Sequence, residues 1–190
     1  PRTVGGTPGR PFVYRLPVSG ERPMRFAAQR LPDGLELDAE EGIIAGQILR
    51  DGSWDVHVSA SNNAGSCEGV VTIVGKAGAL CLTPPMGWNS WNVWGLSVDQ
   101  EKVKAAADQF IASGLADHGF QYVNIDDGWE AGRADDGMIQ PNEKFPDMQG
   151  LGEYIHSRGL RFGIYSSPGP TTCGGYEGSY QHEVQDAQTY

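Results

Sequence analysis

Apolar and polar positions alternate strictly between residues 54 and 60: Trp54, Val56, Val58 and Ala60 share one parity, and Asp55, His57 and Ser59 the other. A period of two puts the first set on one face of a half-buried strand. Segments of similar strand character recur at residues 12–16, 24–28, 43–48 and 70–74. Turn formers separate them: Pro32-Asp33-Gly34, Glu41-Gly42, Asp51-Gly52 and Asn62-Asn63-Ala64-Gly65. Short strands at this spacing, without helical periodicity, predict a small antiparallel β-sandwich over residues 1–76.

The pattern changes after a linker at residues 75–79, and residues 77–190 read as strands alternating with helices. Ser97 followed by Gln100 predicts a capping box, after which Val103, Ala107, Phe110, Ile111 and Leu115 fall on one helical face until Gly119 permits a stop. A strand follows at residues 122–126. A helix follows at about 148–158, with Met148, Leu151 and Ile155 inward and Gly159 as terminator. Residues 160–165 predict a third buried strand and residues 183–190 a further helix. This order is that of a parallel α/β fold. Asn89, Asp126, Asp127, Tyr165 and Ser166 all fall at or just beyond the C-terminal ends of strands, where a (β/α)8 barrel carries its active site. No glycine-rich phosphate loop follows the first strand, which disfavours a dinucleotide-binding fold.

Candidate chemistry concentrates in two stretches. Residues 121–129 run as a buried strand into Asp126, Asp127 and Trp129, and residues 83–92 carry two indoles and two carboxamides where a core strand would carry Val and Leu. Aromatic rings beside polar groups that bind hydroxyls point to a sugar. Asp-Asp-Gly is also an ordinary turn, so the pair alone does not decide the matter. If residues 88–91 are extended, Trp88 packs inward and Trp91 is the indole presented to a ligand. With 24 acidic against 14 basic residues, the net charge of -10 argues against nucleic acid or an anionic membrane surface as partner. No apolar run approaches the ~20 residues of a membrane-spanning helix. Asp135, Asp136 and Glu143 lack calcium-loop spacing, and His118, His156 and His182 lack metal-ligand spacing, so no metal or cofactor is expected. Cys67, Cys81 and Cys173 form no CxxC motif, and their odd number leaves at least one unpaired within the chain.

Two resemblances sharpen these expectations. Residues 31–38 followed by 42–46 resemble the immunoglobulin-like modules found ahead of bacterial polysaccharide enzymes. Further on, Thr83-Pro84-Pro85-Met86-Gly87-Trp88-Asn89-Ser90-Trp91, Asp126-Asp127-Gly128-Trp129, Gly163-Ile164-Tyr165-Ser166, residues 172–179 and Asp186-Ala187-Gln188-Thr189-Tyr190 resemble, in order, the motif series of the α-galactosidase (melibiase) family, glycoside hydrolase family 27. The resemblance implies an immunoglobulin-like sandwich followed by the first part of a (β/α)8 TIM barrel, about three βα units of a fold that needs ~250 residues. It implies a retaining hydrolase acting on terminal α-linked galactose. In that family one aspartate after the fourth barrel strand is the nucleophile and another after the sixth is the acid and base. Both are expected beyond Tyr190, so no catalytic residue is expected within residues 1–190. A start at Pro1 likewise implies a segment of a longer protein.

Carried over residue by residue, the resemblance sets Asp126 and Asp127 on the 4- and 6-hydroxyls of galactose, Trp91 against the apolar face of the ring, and Tyr165 beside the hydroxyls. It pairs Cys173 in a disulfide with a cysteine shortly after the nucleophile. A secreted or periplasmic location fits such a substrate and such a bridge. Related activities (α-N-acetylgalactosaminidase, β-L-arabinopyranosidase), a non-catalytic carbohydrate-binding protein and a metal-dependent hydrolase using Asp126 and Asp127 are the alternatives.

Overall fold

In the computed structural model, which describes residues 2–190, twelve strands and four helices follow one another along the chain. The strands are β1 (Thr3–Gly6), β2 (Pro11–Arg15), β3 (Arg25–Gln29), β4 (Leu35–Asp38), β5 (Ile43–Gln47), β6 (Gly52–Asn62), β7 (Gly65–Gly75), β8 (Gly87–Asn89), β9 (Tyr122–Ile125), β10 (Glu130–Arg133), β11 (Ile139–Pro141) and β12 (Arg161–Ile164). The helices are α1 (Trp91–Trp94), α2 (Gln100–Ala112), α3 (Met148–Ser157) and α4 (Glu183–Thr189). Two compact units form: residues up to Met86 with 110–121 and 158–161, and residues 87–109 with 122–157 and 162–190.

In the first unit, a four-stranded sheet ordered β1-β7-β6-β3 and a three-stranded sheet ordered β2-β5-β4 enclose one core. The strand alternation at 54–60 holds, with Val56 and Ala60 buried and Asp55 and His57 exposed. β6 turns into β7 through Asn63 and Ala64, and the Asn62 carboxamide oxygen accepts the N–H groups of Ala64 at 2.9 Å and Gly65 at 3.2 Å. Tyr14, Ile44, Ile48, Val56 and Ile73 are each 0 % exposed, and full burial of an Ile or Val side chain contributes about 1.5–3 kcal/mol. The sandwich is not wholly antiparallel, because β1 joins the edge of β7 in parallel register, Thr3 opposite Thr72 through Gly6 opposite Gly75. Arg15, 2 % exposed, donates to the Arg158 carbonyl and to Glu41 Oε2, each at 3.3 Å, while its own carbonyl accepts from Gln121 Nε2 at 2.7 Å.

The second unit is built on a sheet ordered β12-β9-β8, with β8 and β9 parallel. Val123 and Ile125 are fully buried in the central strand. Residues 161–164, expected to be buried throughout, are only half-buried, because β12 is an edge strand of this sheet. Gly163 is required there: a Cβ would collide with the Asn124 carboxamide oxygen, whose group donates from Nδ2 to the Trp88 carbonyl at 3.0 Å.

α2 forms where a helix is predicted, but it starts later than the proposed cap at Ser97, from Asp99. Asp99 Oδ1 accepts the Lys102 N–H at 2.9 Å, whereas the Ser97 hydroxyl donates back to the Trp94 carbonyl at 2.7 Å, so the proposed capping box does not form. Val103, Ala107 and Phe110 are buried as predicted, yet Leu115 is exposed because Gly114, at φ +78°, ends the helical course before the next turn. α3 matches its predicted span, with Leu151 and Ile155 buried. The β10/β11 hairpin, bulged between Glu130 and Arg133, occupies a segment that reads as loop in the sequence. Replacing Asp99 with Ala should lower the unfolding free energy by about 1 kcal/mol in urea, the usual worth of an N-cap, and Ser97→Ala should cost clearly less. Equal losses from the two variants would contradict the Asp99 cap.

Candidate active site

β9 ends at Ile125, and the next three backbone N–H groups have no ladder to enter. Side chains take all three. Ser90 Oγ accepts the Asp126 N–H at 3.0 Å, Asp126 Oδ1 accepts the Asp127 N–H at 2.8 Å, and Glu130 Oε2 accepts the Gly128 N–H at 3.0 Å. Ser90 is itself 0 % exposed just past β8, and its hydroxyl stands where an apolar side chain would leave the Asp126 N–H without an acceptor. Gly128 bends the chain at φ +99°, and its carbonyl accepts Asn142 Nδ2 at 2.9 Å.

The two aspartates differ. Asp126 is half-buried, and its Oδ2 accepts from Asn89 Nδ2 at 2.8 Å. Asp127 is 1 % exposed; its Oδ2 accepts the Gly174 N–H at 2.6 Å, and its Oδ1 is buried with no hydrogen-bond donor. A buried acceptor left without a donor costs about 1–3 kcal/mol. Gly174 sits on a tight loop in which Gly178 N–H bonds to Pro170 O at 3.1 Å and Gly175 N–H to Thr172 O at 3.1 Å. A Cβ on Gly174 would stand 3.0 Å from Asp127 Oδ2, so glycine allows the loop to approach.

Tyr165 follows β12, its hydroxyl 3.7 Å from Cys173 Sγ, and its backbone carbonyl accepts the Trp129 indole N–H at 2.9 Å. The Cys173 sulfur, burial and the charge of Asp127 push the Tyr165 hydroxyl above its ordinary pKa. Trp91 does not lie on an extended segment. It opens α1, 42 % exposed, with its N–H on Asn89 Oδ1 at 2.9 Å, so one carboxamide ties it to Asp126. Asp126, Asp127, Tyr165 and Cys173 therefore form one hydrogen-bonded cluster through Gly174's loop, and Trp91 joins it through Asn89. Cys67, Cys81 and Cys173 are exposed and unbridged among the described residues.

Three contributors had no role assigned from the sequence: Glu130, Asn142 and Arg133. Only an acid standing directly after Trp129 marks the first, and that signal is weak. Arg133 is the hub beside the site. It bonds both oxygens of Asp186, at 2.7 and 2.8 Å, with Glu177 at 3.0 Å and the carbonyls of Gly137 and Gly178 at 2.9 and 2.8 Å. Asp186 is 1 % exposed and in α4, so the arginine fastens the hairpin, the Gly174 loop and this helix together.

Adjacent carboxylates just past the end of β9, one of them bonded to the Asn89 carboxamide that also anchors the exposed Trp91, offer the acceptors and the apolar ring that a polyhydroxylated ligand can use. A family model described as Alpha galactosidase A matches residues 83–190, and the chain belongs to that family. An Ig-domain model matches residues 1–74. Alpha-galactosidase A of Cellvibrio japonicus is 50 % identical over 113 residues, 58 % of this chain and 28 % of that protein. The alpha-galactosidase of Cyamopsis tetragonoloba is 46 % identical over 112 residues, 57 % of this chain and 27 % of its own length. A Bacteroides fragilis crystal structure described as a "putative alpha-galactosidase" superposes on 100 % of this chain and 41 % of its own, with TM-score 0.95 and 42 % identity. The chain thus spans between a quarter and a third of the curated relatives it matches.

Asp186 is held below its ordinary 3.8 first by its bond to Arg133. Its stabilisation is therefore present above that value and is lost as pH falls through the lower folded pKa. Arg133→Met leaves this carboxylate buried and unpaired and should lower the unfolding free energy by about 3–5 kcal/mol in denaturant titration. Arg133→Met with Asp186→Leu should recover a large part of that loss. A double variant as unstable as the single one would show that the pairing is not what fixes this corner.

Proposed function

We propose that the chain carries the galactose-binding wall of a retaining glycoside hydrolase that releases terminal α-linked galactose, and that residues 77–190 are the first part of its (β/α)8 barrel. The observation that carries the reading is the Asp126–Asp127 pair, with one carboxylate half-buried and the other holding a buried oxygen that lacks a donor. Asp126 and Asp127 accept from two neighbouring sugar hydroxyls, the 4- and 6-positions of galactose. Asp127 Oδ1 makes no hydrogen bond within the described residues, so it is the acceptor left over for a hydroxyl. An axial 4-hydroxyl distinguishes galactose from glucose, and a sugar that fails to supply it leaves a buried acceptor unpaired. Trp91, 42 % exposed, offers an indole to the apolar face of the ring, and Tyr165 offers its hydroxyl at the rim.

The nucleophile and the acid/base are assigned to residues outside 1–190, in keeping with a wall whose carboxylates are engaged by backbone and carboxamide donors. Cys173 takes its disulfide partner from the same outside region, consistent with an exposed thiol on the Gly174 loop and a secreted or periplasmic protein. A Saccharomyces cerevisiae alpha-galactosidase, 41 % identical over 57 % of this chain, has been solved with raffinose, which supports an oligosaccharide as substrate here.

In the full-length protein, Asp127→Asn should keep the bond to Gly174 while removing the charge that strengthens the sugar contact. Loss of a charge-assisted hydrogen bond worth about 1.5–3 kcal/mol predicts at least a tenfold fall in kcat/KM for an aryl α-galactoside. Unchanged turnover in a folded Asp127→Asn protein would refute the assigned role.

A further inference from the structure

Glu130 has no part in the contacts assigned to the sugar, yet it is the most unusual carboxyl group near them. It is 1 % exposed at the start of β10, its Oε2 accepts the Gly128 N–H at 3.0 Å, and its Oε1 is buried with no hydrogen-bond donor. Asn142 closes the turn from the other side, donating to the carbonyls of Gly128 at 2.9 Å and Glu130 at 3.3 Å. The Gly128 peptide is therefore gripped at both ends directly after Asp127.

Charged groups nearby do not neutralise Glu130. Asp127 repels it, Lys144 gives its ammonium group to the Leu96 carbonyl at 2.8 Å, and Arg133 on the same strand is committed to Asp186 and Glu177. We propose that Glu130 is a positioning residue of the sugar site, its carboxyl group clamping the Gly128 N–H and so holding the turn that aims Asp127. The inference rests on the galactoside reading above.

Burial drives the Glu130 carboxyl up to about 7, with bonds from backbone N–H groups pulling it back and Asp127 adding to the rise. Oε1 has no hydrogen-bond partner to stabilise its charge, which favours the protonated acid. The folded protein keeps this proton between about 4.5 and 7, where an unfolded chain would have released it. Stability and site geometry are therefore favoured at the acid side of that window and weaken as pH rises through about 7. Ionised Glu130 places a second buried negative charge against Asp127.

The test is galactose binding by calorimetry on the full-length protein between pH 5.5 and 8.5, comparing wild type with Glu130→Gln and Glu130→Ala. Glutamine accepts the Gly128 N–H and does not ionise. The wild type should weaken several-fold between the two ends of the range, Glu130→Gln should stay flat and match the wild type at the acid end, and Glu130→Ala should bind about tenfold more weakly throughout. Identical pH profiles for wild type and Glu130→Gln would overturn the proposal. Carbon-13 titration of the Glu130 carboxyl in the wild type provides a second readout that needs no variant to fold, and a midpoint near the ordinary glutamate value would also overturn it. A folded wild type that binds no galactose at any pH would instead sink the galactoside reading, and this inference with it.

Discussion

A strand that ends inside a protein must hand its next N–H groups to some other acceptor, and the whole of this site is arranged around that demand. After β9 the acceptors are Ser90, Asp126 and Glu130, one for each successive N–H. Three short side-chain contacts thus replace a ladder and leave the backbone bent in one fixed way. The arrangement commits one oxygen of each acidic group to the backbone, and in Asp127 and Glu130 it leaves the other buried without a donor. The residues that fix the bend are thus the same ones that leave acceptors unused.

A second layer keeps that bend in place. Gly174 presents its N–H to Asp127 from a loop that Arg133 holds through the Gly178 carbonyl, while the same guanidinium grips Asp186 in α4. A planar fork with five donors suits this role, since a lysine could not bond two carboxylates and two carbonyls in fixed directions. Segments distant in sequence therefore meet at one cation, which is why the Gly174 loop is ordered without a regular secondary structure of its own.

What could be read beforehand depended on whether the signal was periodic. β6 announced itself by alternation, and α3 by Leu151 and Ile155 with Gly159 after it. β1 carries two glycines in four residues and β4 has only four positions, too few for alternation to register. The cap of α2 was misassigned because Ser97 and Asp99 are both good N-cap residues, and only the backbone course decides between them. At the site, Asp126, Asp127, Tyr165 and Cys173 were legible from their motifs and do come together, and Trp91 lies one carboxamide away, although on a helix start and not on an extended strand. Glu130 and Arg133 were not legible. Their roles come from three-dimensional neighbours, and a buried acid reads in sequence like any surface acid.

The missing side chain at Gly163 has a consequence of another kind. The Asn124 carboxamide fills the space where a methyl group would lie on the neighbouring strand, and it spends its donor on Trp88. Positions 163 and 124 are accordingly coupled: any residue but glycine at the first displaces the amide at the second and costs its bond to Trp88. Grafting this sheet onto another scaffold requires moving both residues together.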